Sequence, residues 1–138
     1  MTDFKLISGD PYVKSILVEN NTFDKTVIPN AGLIRFTTLN NSCKVTSNIF
    51  EECNISDVTS WILRNARVDA SGDISNNHYY TSTTGKLGII STASNIANIT
   101  KIDPVKSENS LLSGWDVENG IFGTYNLPDG VTGVGATR

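Results

Sequence analysis

The residues best suited to bond-breaking chemistry are the carboxylates in the first half of the chain: Glu19, Asp24, Glu51, Glu52, Asp57, Asp69 and Asp73. Hydrolysis of a glycosidic bond needs two carboxyl groups flanking it, one as acid and one as base or nucleophile. The phrases "VENNTFDKT" (18–26) and "VTSNIFEECNIS" (45–56) carry Asp24 and the pair Glu51–Glu52 at equivalent points. If the phrases stack, Asp24 lies beside Glu51 or Glu52, and these three are the candidate catalytic residues. The plainer reading of the same three, and the one preferred, is a solvated outer face, which every soluble β protein carries. Lyase chemistry would want a base with an arginine or a metal to hold a uronate. Arg64, Arg67 and Asp69 are close in sequence, with nothing to set their geometry.

The stretch "NNHYYTST" (76–83) suits recognition instead. Aromatic faces stack on sugar rings, and amides and hydroxyls bond sugar hydroxyls. Asn76, Asn77, His78, Tyr79 and Tyr80 are therefore the candidate substrate-binding residues. The plainer reading of His78 is an ordinary loop residue, and strand alternation would bury one of Tyr79 and Tyr80 and expose the other. His78 is the only histidine, which excludes a histidine-rich metal site, and no nucleophile-elbow motif is present. Cys43 and Cys53 are too few for a metal site; they are expected as buried free thiols filling a β core. "GVTGVG" lacks the Lys-Ser/Thr of a phosphate loop. No metal and no cofactor is expected. Trp61 and Trp115 are read as packing or subunit-contact residues.

The elements that would position these groups follow from composition and spacing. The 138 residues include 15 Asn, 15 Thr and 14 Ser, with 18% charged residues and a net charge of −3. Frequent Val, Ile and Thr with low net charge indicate an ordered, β-rich chain with a neutral polar surface, not a disordered one. The scattered basic residues argue against a nucleic-acid partner. No apolar run approaches the ~20 residues of a membrane span, so no membrane insertion is expected. "MTDFKLISGD" has no signal-peptide character, which leaves synthesis in a cytosol or a fragment start at Met1.

Helical periodicity is weak. "NISDVTSWILRNA" (54–66) fits helix or strand, and the alternation of Val58, Ser60 and Ile62 favours strand. Short β segments are separated by turn residues. Asn-Asn pairs at 20–21, 40–41 and 76–77 suit tight bends. Val18, Val45, Val68 and Ile90 open similar phrases at intervals of 27, 23 and 22 residues. Such a period predicts a β-solenoid in residues 1–103, a parallel β-helix of about four coils. Val would stack on Val, Phe23 on Phe50, and Asn on Asn as an amide ladder at the corners. An antiparallel sandwich also spaces strands evenly and is the alternative. After Pro104 the phrase disappears and glycine becomes frequent. Residues 104–138 are expected as a cap or trimerisation segment, its valines suited to contact between chains.

The "NNTF" and "SNIFEECNIS" phrases, Asn-rich corners and Gly-rich tail resemble the C-terminal part of bacteriophage tailspikes and appendages, which are similar to pectate-lyase-type right-handed β-helices. The resemblance spans roughly 13–103. It implies an all-β, right-handed parallel β-helix in a virion tail, made in the host cytoplasm and assembled as a homotrimer. It also implies a structural and receptor-binding role toward bacterial cell-surface polysaccharide. The runner-up is a polysaccharide depolymerase fragment, a glycoside hydrolase or lyase, with acids in a surface or inter-subunit groove. Four coils are fewer than a catalytic tailspike usually has. A third reading is an antiparallel β-sandwich acting as a virion decoration or adhesin module.

Overall fold

The computed structural model describes residues 7–9, 16–26, 34–36, 43–53, 59–64, 73–90, 100–101 and 104–137. These residues form β1 (Ile7–Gly9), β2 (Ile16–Glu19), β3 (Thr22–Asp24), β4 (Ile34–Phe36), β5 (Cys43–Thr46), β6 (Ile49–Glu51) and β7 (Thr59–Arg64). There follow β8 (Asp73–Ser75), β9 (His78–Tyr80), β10 (Lys86–Ile90), β11 (Thr100–Lys101), β12 (Val105–Lys106), β13 (Leu112–Ser113) and β14 (Thr124–Tyr125). No helix occurs among the described residues. The segment that fits both periods is strand over β7, where β-branched and aromatic side chains outweigh the helical spacing.

The strands distribute in threes. β1-β4-β7-β10, β2-β5-β8-β11 and β3-β6-β9-β12 each form a four-stranded sheet, and β13 pairs with β14 in a hairpin. Every pairing in the three large sheets is parallel; only β13–β14 runs antiparallel among the named strands. The protein is thus all-β with parallel sheets, and these pairings are not those of an antiparallel sandwich.

Val18 pairs with Val45 and Phe23 with Phe50, as the spacing predicts. The later register differs from expectation. Val45 pairs with Ile74, and Ile74 with Lys101, so the true steps are 27, 29 and 27 residues. Ile90 belongs to the first sheet, opposite Leu63, and Val68 lies outside the described residues. An aliphatic residue alone is a poor register mark, because strands of more than one sheet carry them, as Ile90 of the first sheet and Ile74 of the second show.

The corners are better marks. Asn20, Ser47 and Asn76 each follow a strand of the second sheet and adopt left-handed backbone, with φ of 54°, 58° and 56°. Asn tolerates that region because its short polar side chain bonds locally. The 40–41 pair lies outside the described residues. The next residue in each corner is Asn21, Asn48 or Asn77, and their amides form a column. Asn48 Oδ1 accepts from the Asn21 backbone N–H at 3.0 Å and from Asn21 Nδ2 at 3.2 Å. Asn48 Nδ2 donates to the Val18 carbonyl at 2.9 Å and to Asn77 Oδ1 at 3.0 Å. Asn77 Oδ1 also accepts from the Asn48 N–H at 3.1 Å, and its Nδ2 donates to the Val45 carbonyl at 2.8 Å. Each amide satisfies backbone groups that the sheets leave unpaired where the chain turns. Pro104 occupies the next position of this column, one residue before the Val105–His78 pair, and without a side-chain amide it ends the ladder.

Between the sheets lie Val18, Val45, Ile74, Phe50 and Tyr79, all buried. Phe23 and Phe50 stack with centroids 4.9 Å apart and planes 7° apart. By strand alternation Ile49 and Glu51 face away from this core, yet β6 is buried throughout. The reason is the tail. Ile49, Leu111 and Val134 form a second core, with Tyr80, Leu112, Tyr125, Leu127 and Val131 packed against it. The tail is also bonded in place, by Gly135 N–H to the Ser47 carbonyl (2.9 Å) and Asn20 Nδ2 to the Gly133 carbonyl (2.7 Å). Thr22 Oγ1 meets Tyr125 OH at 2.6 Å. Val134 of "GVTGVG", expected between chains, therefore packs against its own chain. The parallel register runs on to Lys106, three residues past the expected division at 103.

Asn48→Ala removes both ends of the amide and leaves the Asn21 N–H and the Val18 carbonyl without these partners. It is expected to cost about 3 kcal/mol in chemical denaturation. The isosteric Asn48→Asp, which loses the donor and buries charge, is expected to be no milder.

Candidate functional site

The register brings the candidate acids together. Asp24 pairs with Glu51 across β3 and β6, and the Lys25 N–H donates to the Glu51 carbonyl at 2.8 Å. Glu52 follows in a left-handed turn with φ of 47°. Asp24, Lys25, Glu51 and Glu52 share a cleft of about 170 Å³ with Ser110, Leu112, Gly114 and Trp115 from the tail. Nothing in the local sequence pattern announces that Ser110 and Trp115 join the acids.

The three carboxylates have different fates. Glu51 is 5% exposed; it accepts hydrogen bonds from Ser110 Oγ and, at 2.9 Å, from the Leu111 backbone N–H. Burial pushes its carboxyl above the ordinary 4.5, with the charges of Asp24 and Glu52 adding to the rise and the two hydrogen bonds opposing it. Glu52 accepts from the Ser82 N–H (2.8 Å) and Oγ (3.1 Å), tying one repeat to the next. Asp24 is half-exposed and opens on the cleft. A raised acid beside a second carboxylate is the electrostatic pattern of an acid–base pair. Access is missing, because the tail lies over Glu51. The arrangement anchors the tail; it does not present two carboxyls across an open groove.

The candidate binding residues separate similarly. Asn77 is 1% exposed and spent in the amide column. Tyr79 is 5% exposed, in the core column above Phe50. His78 is 4% exposed; Nε2 lies 3.2 Å from Asn76 Oδ1 and Nδ1 has no hydrogen-bond partner. Burial lowers the His78 pKa below 6.5. These three offer no surface to a sugar, because "NNHYY" is a corner and strand like "NNTFD", not a loop. Asn76 is exposed but bonds Ser47 Oγ at 3.2 Å, and Tyr80 packs against the second core.

Cys53 is buried and free, with Sγ 3.2 Å from the Phe23 carbonyl, and burial pushes its thiol up to about 12. The Cys43, Trp61 and Arg64 side chains, and Arg67 and Asp69 altogether, lie outside the described set. Trp115 packs edge-on to Phe122 at 5.4 Å and tilted to Tyr125 at 5.2 Å, and its indole N–H donates to the Thr124 carbonyl at 2.9 Å. Among the described residues no group of three or more His, Cys, Asp or Glu could hold a metal ion, and no helix is long and apolar enough to cross a membrane.

Searches for similar proteins found no matching family model, no matching curated protein and no matching solved structure.

The raised Glu51 sets a pH dependence whose sign is fixed. Between 4.5 and its raised native value, the folded chain holds a proton that the unfolded chain has lost. Its stabilising contribution is therefore full below 4.5 and is lost as pH rises through the native value. Glu51→Gln keeps an acceptor for the Leu111 N–H and turns an amide donor toward the Ser110 hydroxyl, without the charge. It is expected to flatten that dependence and to equal or exceed wild-type stability at pH 7 in urea titrations. Glu51→Ala leaves the Leu111 N–H without this acceptor and is expected to cost about 2–3 kcal/mol.

Proposed function

We propose that the three parallel sheets are the faces of a short right-handed parallel β-helix of about four coils, closed on one side by the 104–138 segment. On this reading the chain is a structural and receptor-binding part of a phage tail appendage, assembled as a homotrimer and recognising bacterial surface polysaccharide. It is made in the host cytoplasm and carried on the virion. The observation behind the reading is the in-register stack: like side chains sit one above another, with the asparagine column at one corner. Right-handedness follows from the strong preference of parallel crossover connections. A stack of this kind makes a stiff rod with a long lateral surface, the mechanical property a spike needs.

Trimer contacts have a candidate surface in the hairpin that bridges Asp116 to Ile121. Val117, Ile121 and Phe122 are 51%, 51% and 49% exposed on or beside it. Clustered exposed apolar side chains on a small domain suit a protein contact. Binding is favoured over cleavage because the raised carboxyl, Glu51, lies beneath the tail. The depolymerase alternative draws on the Asp24–Glu51 pairing and would require the tail to lift.

Multi-angle light scattering of the full chain is expected to give three times its 14.9 kDa mass. Ile121→Asp with Phe122→Asp is expected to reduce it to one. A wild-type monomer at micromolar concentration would remove the trimer. New reducing ends released from host polysaccharide, and abolished by Asp24→Asn, would instead establish the enzyme.

A further inference from the structure

The glycan reading needs a surface, and the 76–80 stretch does not provide one. We propose that the seam where the tail crosses the third sheet binds a neutral, hydroxyl-rich glycan strand. This rests on the reading of the protein as a polysaccharide-recognising module and assigns that recognition to a new place. A cleft of about 500 Å³ lies there, walled by Val105 and Lys106 of β12 and by the tail, and a second of about 620 Å³ continues it along the tail itself, with Asn109 and Asn126 common to both. The second shares Ser110 and Leu112 with the smaller cleft that holds Trp115 and Asp24. The tail thus carries a succession of adjoining hollows, long enough for several sugar units and too shallow to enclose a compact ligand.

The lining selects the ligand class. Asn109, Ser113, Thr124 and Asn126 are exposed along it. Amides and hydroxyls both donate and accept, which is what a sugar hydroxyl requires of its partners. Asn109 makes no side-chain hydrogen bond among the described residues. Leu127 and Pro128 add apolar surface suited to the C–H face of a sugar ring. Charges of both signs, Lys106 with Glu108 and Asp129, edge the first cleft, and Lys106 Nζ lies 3.4 Å from the Thr83 carbonyl. An anionic chain would find no concentrated positive charge to hold it.

The walls are also held before any ligand arrives. The Asn126 N–H donates to the Leu111 carbonyl at 2.8 Å, and its Nδ2 donates to the Ser110 carbonyl at 3.2 Å. Ser113 and Thr124 are a register pair of the β13–β14 hairpin, so their side chains leave one rigid ribbon. Groups fixed beforehand lose little freedom on binding.

The test uses the full chain, with neutral lipopolysaccharide O-chain oligosaccharides as probe and polyuronate oligomers as the contrast. Saturation-transfer and amide-shift NMR are expected to show the neutral chains binding, with shifts concentrated in residues 109–113 and 124–128. Asn109→Ala is expected to weaken binding about ten-fold. Ser113→Trp, which fills the second cleft, is expected to abolish it, while Leu17→Ser on the second sheet leaves it unchanged. Circular dichroism melts confirm that each variant is folded. Binding that survives Ser113→Trp with shifts elsewhere overturns the seam and leaves the glycan reading standing. Preference for the polyuronate overturns the neutral class. Failure of wild-type protein to bind either probe overturns both the seam and the glycan reading.

Discussion

The structure depends on one problem and its repeated solution: a parallel stack must turn a corner in every repeat without stranding buried backbone groups. At the turn between the second and third sheets the ladder is interrupted, and no water can substitute in a packed interior. The amides of Asn21, Asn48 and Asn77 stand in for the missing peptide groups. Few side chains can do this. Aspartate offers no donor and brings a charge, serine offers a single hydroxyl, and glutamine places its amide one methylene too far. Because Asn48 and Asn77 each bond the repeat before them, the column also forbids slippage. A shift of one residue would leave each buried amide and the carbonyl it serves unpaired together, at about 1–3 kcal/mol apiece.

With the register held, the outer face of the third sheet becomes a uniform surface on which the tail can lie. The tail contributes little apolar area of its own: Leu111 and Val134 fully, and Leu112, Leu127 and Val131 in part. Burial of that area supplies attraction but no direction. Direction comes from polar contacts at fixed heights of the stack: Glu51 to Ser110 and Leu111, Thr22 to Tyr125 and Ala136, and Ser47 to Gly135. Glycine is needed where the two layers approach most closely. At Gly135, with φ of 83°, a Cβ would stand 2.7 Å from the Tyr125 ring and 3.0 Å from Ile49 Cδ1. The Gly-rich text after Pro104 thus reflects close contact within one chain at this position.

Much of the stack was legible because its marks are local. Val18 over Val45, Phe23 over Phe50 and the amide column all follow from phrases that look alike. The apolar residue misaligns the third and fourth repeats, because it does not mark the corner. The doublets Asn20-Asn21, Ser47-Asn48 and Asn76-Asn77 carry the register directly, at steps of 27 and 29 residues. The sequence shows them as bends but hides their equivalence, since Ser47 breaks the Asn-Asn pattern while keeping the left-handed conformation. Had "NNHYY" been aligned with "NNTFD", Tyr79 would have fallen in the Phe column and His78 above Ile49. The pairing of Asp24 with Glu51 was legible on the same grounds. The burial of Glu51 was not, because it is imposed by Ser110 and Leu111, 59 and 60 residues further on, and no local periodicity encodes a docking of that kind.

Covering Glu51 changes what the neighbouring acids can be. An accessible pair would leave both carboxylates hydrated, each free to ionise and to approach a substrate. Beneath the tail, Glu51 is held in a site that disfavours its charge, while Asp24 keeps contact with solvent in the cleft beside Trp115. The difference arises from packing alone, since β3 and β6 place the two residues at equivalent register positions in adjacent strands. The tail therefore does two things at once. It removes one acid from reach, and it creates, along its own outer edge, the rigid polar hollows that a bare third sheet would lack. Any ligand that uses those hollows depends on the Glu51 contacts without touching them, because loosening the tail would dissolve the walls.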